Sequence, residues 1–561
     1  MGRPRPVQAG HAAMTAIWEL EVIQQRETTV FMTGWLFDTR SRTEELELEL
    51  VEPGGRVVGR IPLAAGKPRP DVKAVHPRYP SSLHSGFVAV GAWPRRPRSS
   101  DQLRIAGQLE DGRAVEVTIA SERWQGAFAT QGRWHRLLIG LRTLRYYARR
   151  ALLLVATGRF GSLREKVSRQ LADRPQAPLP TPPAWQALLK GTDPEGGDPE
   201  THLIVDHRLG GGANQYRQRL VDEHRDRGAT VLVLTFHLAS LSPMLLVETA
   251  RKRLRFSLES TSELLDALAD QPLASITYNT AVSFSQAESI PALLVALKQQ
   301  SGARLTVLLH DYFSICPSHF LLDADGTFCN IPDLATCRRC LPRNPHGFTT
   351  LYGGDIETWR QAWAPLIGAA DTILAFSESS AQLLRRAYGA VLDDRAIQVR
   401  PHTVNYLQAR RIPWPAQDQF TIGIVGQIGF HKGSEVVRQL ADAIKRAGGQ
   451  ERIVVIGTLE SHADPTILRQ SGPYTHTELP ALIEQSGITV MLIPSIWPET
   501  FSFVAEEVMQ LDLPVACFDL GAPAERIRRY AKGIVLPSRE PDSILENLHR
   551  LADETASSRD P

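Results

Sequence analysis

Five cysteines in 561 residues are too few for a disulfide scaffold. The opening stretch MGRPRPVQAGHAAMTA lacks the apolar core of an export signal and reads as a mobile tail. A reducing cytosol is therefore the expected compartment, and disulfides are not expected. No apolar run reaches the roughly eighteen residues that a membrane-spanning helix needs. Excess charge of either sign is also missing. The formal net charge is only +2, too small a field to draw the chain to nucleic acid. What remains is an ordinary globular composition, 43% hydrophobic and 22% charged, over a length that calls for roughly two to four domains.

Three regions differ in pattern. Residues 14–122 alternate apolar and polar positions in ELEVIQQRETTVFMTGWLFD, EELELELVEPGGRVVGRIPL and RAVEVTIA, with PGG and DGR turns between, which predicts a small β-sandwich-like domain. Trp35 and Trp93 fall in it, either as core aromatics or as sugar-stacking surfaces. Residues 123–200 begin with a helical pattern in which Leu137, Leu141, Leu144 and Ala148 recur among arginines. They end in the proline-rich linker RPQAPLPTPPAW. From residue 201 the pattern is strand, loop, helix, repeated: THLIVDH, ATVLVLTFH, ASITYNT, RLTVLLHDY and DTILAFSES. After a break near 401–415 a second series follows: FTIGIVGQ, RIVVIGT, ITVMLIPS, PVACFDL and GIVLPS. This is an α/β pattern of two Rossmann-like doubly wound domains, 201–405 and 406–550, with a ligand crevice at the carboxyl ends of the strands and a tail at 551–561.

Both series open on a loop that leaves backbone amides free. Gly210, Gly211 and Gly212 follow the first strand of the first half, either as an anion-binding turn or as a flexible connector. Lys432 follows the first strand of the second half, between Gly429 and Gly433, at a helix start. A cation is misplaced at the positive end of a helix dipole unless an anion binds there. Farther on, Glu499 and Glu507 flank the amides of Phe501, Ser502 and Phe503. With a helix starting at Glu499, the second acid would lie about 12 Å further along it, too far for a carboxylate pair sharing one bond and suited to the two ends of an extended ligand.

PSIWPETFSFVAEEVMQLDLPV resembles the E-x7-E motif of the retaining GT-B glycosyltransferases of family 4. GQIGFHKG resembles their phosphate loop, LGGGANQY their glycine-rich first loop, and RLTVLLHDYFSICP the segment that carries a histidine, here His310. The resemblance covers about residues 201–550. Within the family, HDYFSICP and IWPETFSF are most similar to bacterial transferases of O-antigen and other surface polysaccharides, several of them rhamnosyl- or mannosyltransferases. It implies a GT-B fold with an N-terminal acceptor domain and a C-terminal nucleotide-sugar donor domain. Lys432 would take the donor diphosphate, Glu507 the ribose, Glu499 and His310 the sugar, and Gly211 and Gly212 would approach phosphate and acceptor. No catalytic cofactor is implied beyond the nucleotide-sugar co-substrate, because Lys432 and a helix terminus would meet the leaving charge. Two positions depart from the pattern. Gln427 stands where an arginine is usual, unless Arg338, Arg339 or another residue replaces its charge, and Ser502 stands where glycine is commoner.

The expected activity is transfer of a glycosyl group, with retention, to a glycan or lipid-linked glycan of the bacterial surface. Gln427 keeps a second class open, a weakly catalytic glycan-binding scaffold; a phosphorylase or epimerase fits less well. Residues 133–166 oppose Trp134, Leu137 and Leu141 to Arg142, Arg145, Arg149 and Arg150. They read either as an interfacial helix on an anionic membrane surface or as a helix packed on the first Rossmann half. Cys316, Cys329, Cys337 and Cys340, spaced C-x12-C-x7-C-x2-C, read either as ligands of a structural zinc or as buried thiols packing an insertion.

Overall fold

The computed structural model describes residues 16–120, 124, 177–178 and 200–557, less 27, 68, 239–240, 251, 270, 345, 347–351, 353, 393–396, 416–418 and 462. The basic segment at 133–166 and the tail at 1–13 lie outside the described residues. The described residues fall into two compact units, each taken by itself below.

The first unit holds β1 (Ala16–Arg26), β2 (Thr29–Asp38), β3 (Thr43–Val51), β4 (Val57–Lys67), β5 (Gly86–Ala92), β6 (Gln102–Leu109) and β7 (Ala114–Ile119), with a short helix α1 (Pro70–Val75). Hydrogen bonding links all seven strands into one sheet in the order β1-β2-β5-β4-β3-β6-β7. Strict alternation puts one face inside: Val115, Val117 and Ile119 of β7 are buried while their neighbours are exposed. Trp35 and Trp93 are both buried. They fill core space rather than presenting sugar-stacking faces.

The second unit contains two α/β layers. The first half comprises β8 (Ala177–Pro178), β9 (Thr201–Val205), α2 (Gly212–Asp226), β10 (Thr230–His237), β11 (Ser242–Glu248), β12 (Arg253–Ser257), α3 (Glu263–Ala267), β13 (Ser275–Tyr278), α4 (Ile290–Ser301), β14 (Arg304–Leu308), α5 (Leu334–Cys340), α6 (Ile356–Ala369), β15 (Thr372–Ala375), α7 (Glu378–Leu392) and β16 (Ile397–Val399). Its sheet order is β16-β15-β14-β13-β9-β10-β11-β12-β8. The sheet is not wholly parallel, as the strand–helix alternation had implied. β11 runs antiparallel to both β10 and β12. The reason is connection length: β10 ends at His237 and β11 starts at Ser242, too little chain for a crossover helix.

The second half follows a strap at 400–415 that hydrogen-bonds onto its far end, Ile412 N donating to Leu511 O at 3.1 Å and Gln510 Nε2 to Val404 O at 3.1 Å. It comprises β17 (Thr421–Ile428), α8 (Ser434–Ala447), β18 (Arg452–Leu459), β19 (Leu468–Gln470), α9 (Leu479–Gln485), β20 (Val490–Ile493), α10 (Phe503–Gln510), β21 (Val515–Phe518), α11 (Gly521–Ile527), β22 (Gly533–Leu536) and α12 (Pro541–Ser557). The sheet, β19-β18-β17-β20-β21-β22, is parallel throughout. α8 shows how sequence sets an element. Val436, Val437, Leu440, Ala441 and Ile444 recur at helical spacing on the buried side, and left-handed Gly433 and Gly448 bound it. α12 runs past residue 550 with Leu551 and Ala552 buried, so part of the expected C-terminal tail is packed helix.

Candidate active site

The carboxyl end of β17 leads into a tight turn, Phe430–Lys432, and then into α8. Gly433 makes this turn feasible: its φ is +84°, and a side chain there would collide with the Pro494 carbonyl. The turn is thereby pressed against the loop that leaves β20. Lys432 Nζ lies 2.6 Å from Glu499 Oε2, and the other Glu499 oxygen accepts from Ser495 Oγ. The lysine at the helix start thus has a carboxylate partner across the loop pair.

Glu499 does not begin a helix. Pro498 precedes it, Ser502 sits in the left-handed region at φ +84°, and α10 starts at Phe503. The placement of both acids on one helix about 12 Å apart is therefore corrected: Glu499 belongs to the loop and only Glu507 to the helix. Ser502 caps α10, its Oγ accepting from Ala505 N at 3.4 Å. Its left-handed backbone accounts for the glycine that is commoner there. Glu507 is 1% exposed. Its Oε1 accepts from Tyr406 Oη at 2.6 Å and from His476 Nδ1 at 2.9 Å. The carboxylate in turn raises the His476 pKa.

The first half closes the opposite side. Asp206, fully buried at the end of β9, accepts from Asn214 Nδ2 at 2.7 Å and Arg217 at 3.0 Å, anchoring the glycine loop. Gly210 and Gly211 have φ near +89° and +84°. A side chain on Gly212 would reach within 2.6 Å of the Phe503 ring, so the loop touches the start of α10. Thr500 Oγ1 donates to the His310 carbonyl at 3.1 Å, and Tyr312 Oη to the Pro498 carbonyl at 2.7 Å. The His310 ring stacks on Phe376 at 4.5 Å and lies parallel to His402 at 5.4 Å. Burial holds its pKa well below the usual value, and its Nε2 is buried with no hydrogen-bond partner. A neutral imidazole with one unused nitrogen stands beside the Glu499 loop. Gly212 with Phe503, His310 with Thr500, and Lys432 with Glu499 thus bring loops of the two halves together.

Residues 408–560 match the family model for glycosyl transferases group 1. The match supports a glycosyltransferase. A GDP-mannose-dependent alpha-mannosyltransferase of Mycobacterium tuberculosis is 28% identical over 240 residues, 40% of this chain. The match covers 57% of the length of that relative. Among solved structures, Anabaena HepE in complex with UDP-glucose aligns at a TM-score of 0.42 and 14% identity, over 64% of this chain and 90% of its own. A glycosyltransferase from Rickettsia africae aligns at 0.39 and 12%, over 64% and 92%.

The cation that Gln427 does not supply is not replaced by the two expected arginines. Arg338 is tied to Asp355 at 2.9 Å and to Glu357, and Arg339 donates to Thr336. Sequence reasoning missed Arg526 of α11. Its guanidinium lies 4.4 Å over the Phe501 ring and pairs with Glu506, and burial lowers its pKa to about 10. Tyr406, His476 and His402 were missed as well. No local motif marks them, because each reaches the site only through tertiary contact.

The cysteine insertion packs on the turn between β17 and α8. Phe320 stacks on His431 at 4.0 Å, and His346 on Phe430 at 4.5 Å. Among the described residues no three His, Cys, Asp or Glu side chains are grouped to hold a metal ion. The four thiols do not fit the expected zinc site. Cys337 Sγ accepts from Arg360 at 3.8 Å and Cys340 Sγ from Asn344 at 3.5 Å, while burial pushes Cys316 up to about 12 and Cys329 to about 11.

Proposed function

We propose that this chain is a retaining glycosyltransferase of the GT-B, family 4 type, moving a sugar from a nucleoside diphosphate donor to a lipid-linked bacterial surface polysaccharide. The observation that carries the reading is the 2.6 Å Lys432–Glu499 pair, set beside the cross-cleft Thr500–His310 contact. A cation, a carboxylate and a neutral histidine from three separate loops converge where donor phosphate and sugar would meet.

In this reading Lys432 and the amides of Phe501, Ser502 and Phe503 face the diphosphate, where negative charge grows as the glycosidic bond breaks. Glu499 and the unused His310 Nε2 hold hydroxyls of the donor sugar. Glu507 holds the ribose. The glycine loop at Gly211 and Gly212 lets the acceptor approach without a side chain in the way. The mycobacterial relative's donor makes GDP-mannose the first candidate to test. A lipid-linked acceptor fits a cytoplasmic enzyme that works at the inner face of the plasma membrane. Residues 133–166 would supply the contact with anionic lipid.

The test is a panel of nucleotide sugars, including GDP-mannose and UDP-glucose, scored by thermal shift and then by nucleotide release with bacterial lipid extract. The anomeric configuration of the product reports retention. Stabilisation without release would favour the glycan-binding scaffold that exposed, uncharged Gln427 keeps open. No shift with any nucleotide would sink both.

A further inference from the structure

Both donors to Glu507 come from outside the helix that carries it, and both converge on one oxygen. Tyr406 belongs to the strap between the two halves, and His476 to the loop between β19 and α9. Their rings lie 4.6 Å apart, and each donates to Oε1. Oε2 takes no hydrogen bond or ion pair among the described residues and is not one of the buried unpartnered atoms. A carboxylate enclosed by protein, with its fixed donors on one side only, leaves its other oxygen for donors that arrive with a ligand.

His476 is held from its far side as well. Its Nε2 lies 3.4 Å from Gln215 Nε2 of α2, on the opposite half. A carboxylate oxygen only accepts, so Nδ1 carries the hydrogen that Glu507 receives, while Nε2 faces the Gln215 amide. The bond that orients the carboxylate is thus completed by a residue across the cleft.

We propose that Tyr406 and His476 are positioning residues that pin Oε1 of Glu507 so that Oε2 alone reads a vicinal diol, the ribose of a nucleoside diphosphate, with Gln215 fixing the histidine when the halves meet. The inference rests on the reading of Glu507 as the ribose-binding carboxylate and adds what orients it. Neither residue contacts the ligand. Their removal should change discrimination between sugars of the nucleotide more than binding of its phosphates.

The experiment is titration calorimetry on the full chain with UDP, GDP and ADP and with their 2′,3′-dideoxy forms. For the best-bound base, wild type prefers the ribose form. Tyr406→Phe and His476→Phe should each lower that preference by about tenfold, the worth of a charge-assisted bond to a carboxylate that is no longer held in place. His476→Asn, whose amide nitrogen takes the place of Nδ1, should restore most of it; a structural role alone would not be rescued this way. A wild-type preference that survives both phenylalanine variants overturns the positioning role and leaves the ribose reading intact. Equal wild-type affinity for ribose and dideoxy forms, or no binding of any of them, overturns the ribose reading and the inference with it.

Discussion

Glu499→Gln should tighten the binding of a free nucleoside diphosphate while slowing glycosyl transfer. In the structure Lys432 Nζ sits 2.6 Å from Glu499 Oε2, with side chains 30% and 5% exposed. Two unit charges about 4 Å apart attract by about 4 kcal/mol at an effective dielectric of about 20. Desolvation offsets much of that, so for a pair with one half-exposed partner we take a net worth of about 1–2 kcal/mol. A diphosphate approaching Lys432 must displace this attraction and also meets the repulsion of the carboxylate. Glutamine keeps the shape and the Ser495 hydrogen bond but removes the charge. The affinity for GDP or UDP should then rise about five- to thirtyfold, measured by titration calorimetry. The intact nucleotide sugar should gain less, because its sugar loses a charged acceptor, and the nucleotide-release rate should fall. An unchanged or weaker affinity for the free diphosphate would show that Glu499 does not withhold Lys432, and the assignment of both residues would fail.

Lys432→Ala should lower donor affinity by about tenfold or more and by more than Lys432→Arg, as calorimetry would report, since Arg526, the other cation at this loop, is already paired with Glu506. Ser502→Gly should raise the melting temperature by removing about 1 kcal/mol of left-handed strain, against a few tenths lost from the cap; a drop would mean that the serine cap outweighs the strain. Asp311, beside His310, is pushed up to about 6 by burial, against an ordinary value of 3.8. A raised carboxylate favours the fold below about pH 4 and loses that advantage as pH rises through about 6, by about 2 kcal/mol after allowance for its partial exposure. Denaturant unfolding from pH 4 to 7 should show the loss, and Asp311→Asn should flatten it. Full-length protein should float with anionic but not neutral liposomes at low salt, and replacing Arg142, Arg145, Arg149 and Arg150 with glutamine should abolish it.

The central parallel strands of the two α/β layers were legible because burial on both faces makes a strand read as a nearly continuous apolar run. β9, β20 and β21 are buried at every position. The same property hid the β10–β11–β12 meander. SPMLLVE is as apolar as its parallel neighbours, and only the short connection before it distinguishes an antiparallel return from a crossover. The cysteines stayed between two readings for a related reason. Spacing shows that thiols are near one another in sequence, whereas metal binding needs ligands grouped in space, and no such group is found among the described residues.

The site divides along the same line between local and distant information. A glycine in the left-handed region, or a lysine at a helix start, breaks a local rule, and the break is visible in the letters: Gly211, Gly433 and Lys432 could be singled out because nothing nearby in sequence rewards them. The partners of Glu507 break no rule. Tyr406 is an unremarked residue of a linker and His476 of a loop, 101 and 31 positions away, while Gln215 reaches His476 across 261. Each is acceptable as a solvated side chain until the halves fold together. A carboxylate that takes both its donors from such distances can be oriented only in the assembled unit. The sequence therefore reveals where Glu507 sits in a motif, and the fold alone reveals which of its oxygens takes the protein's own hydrogen bonds.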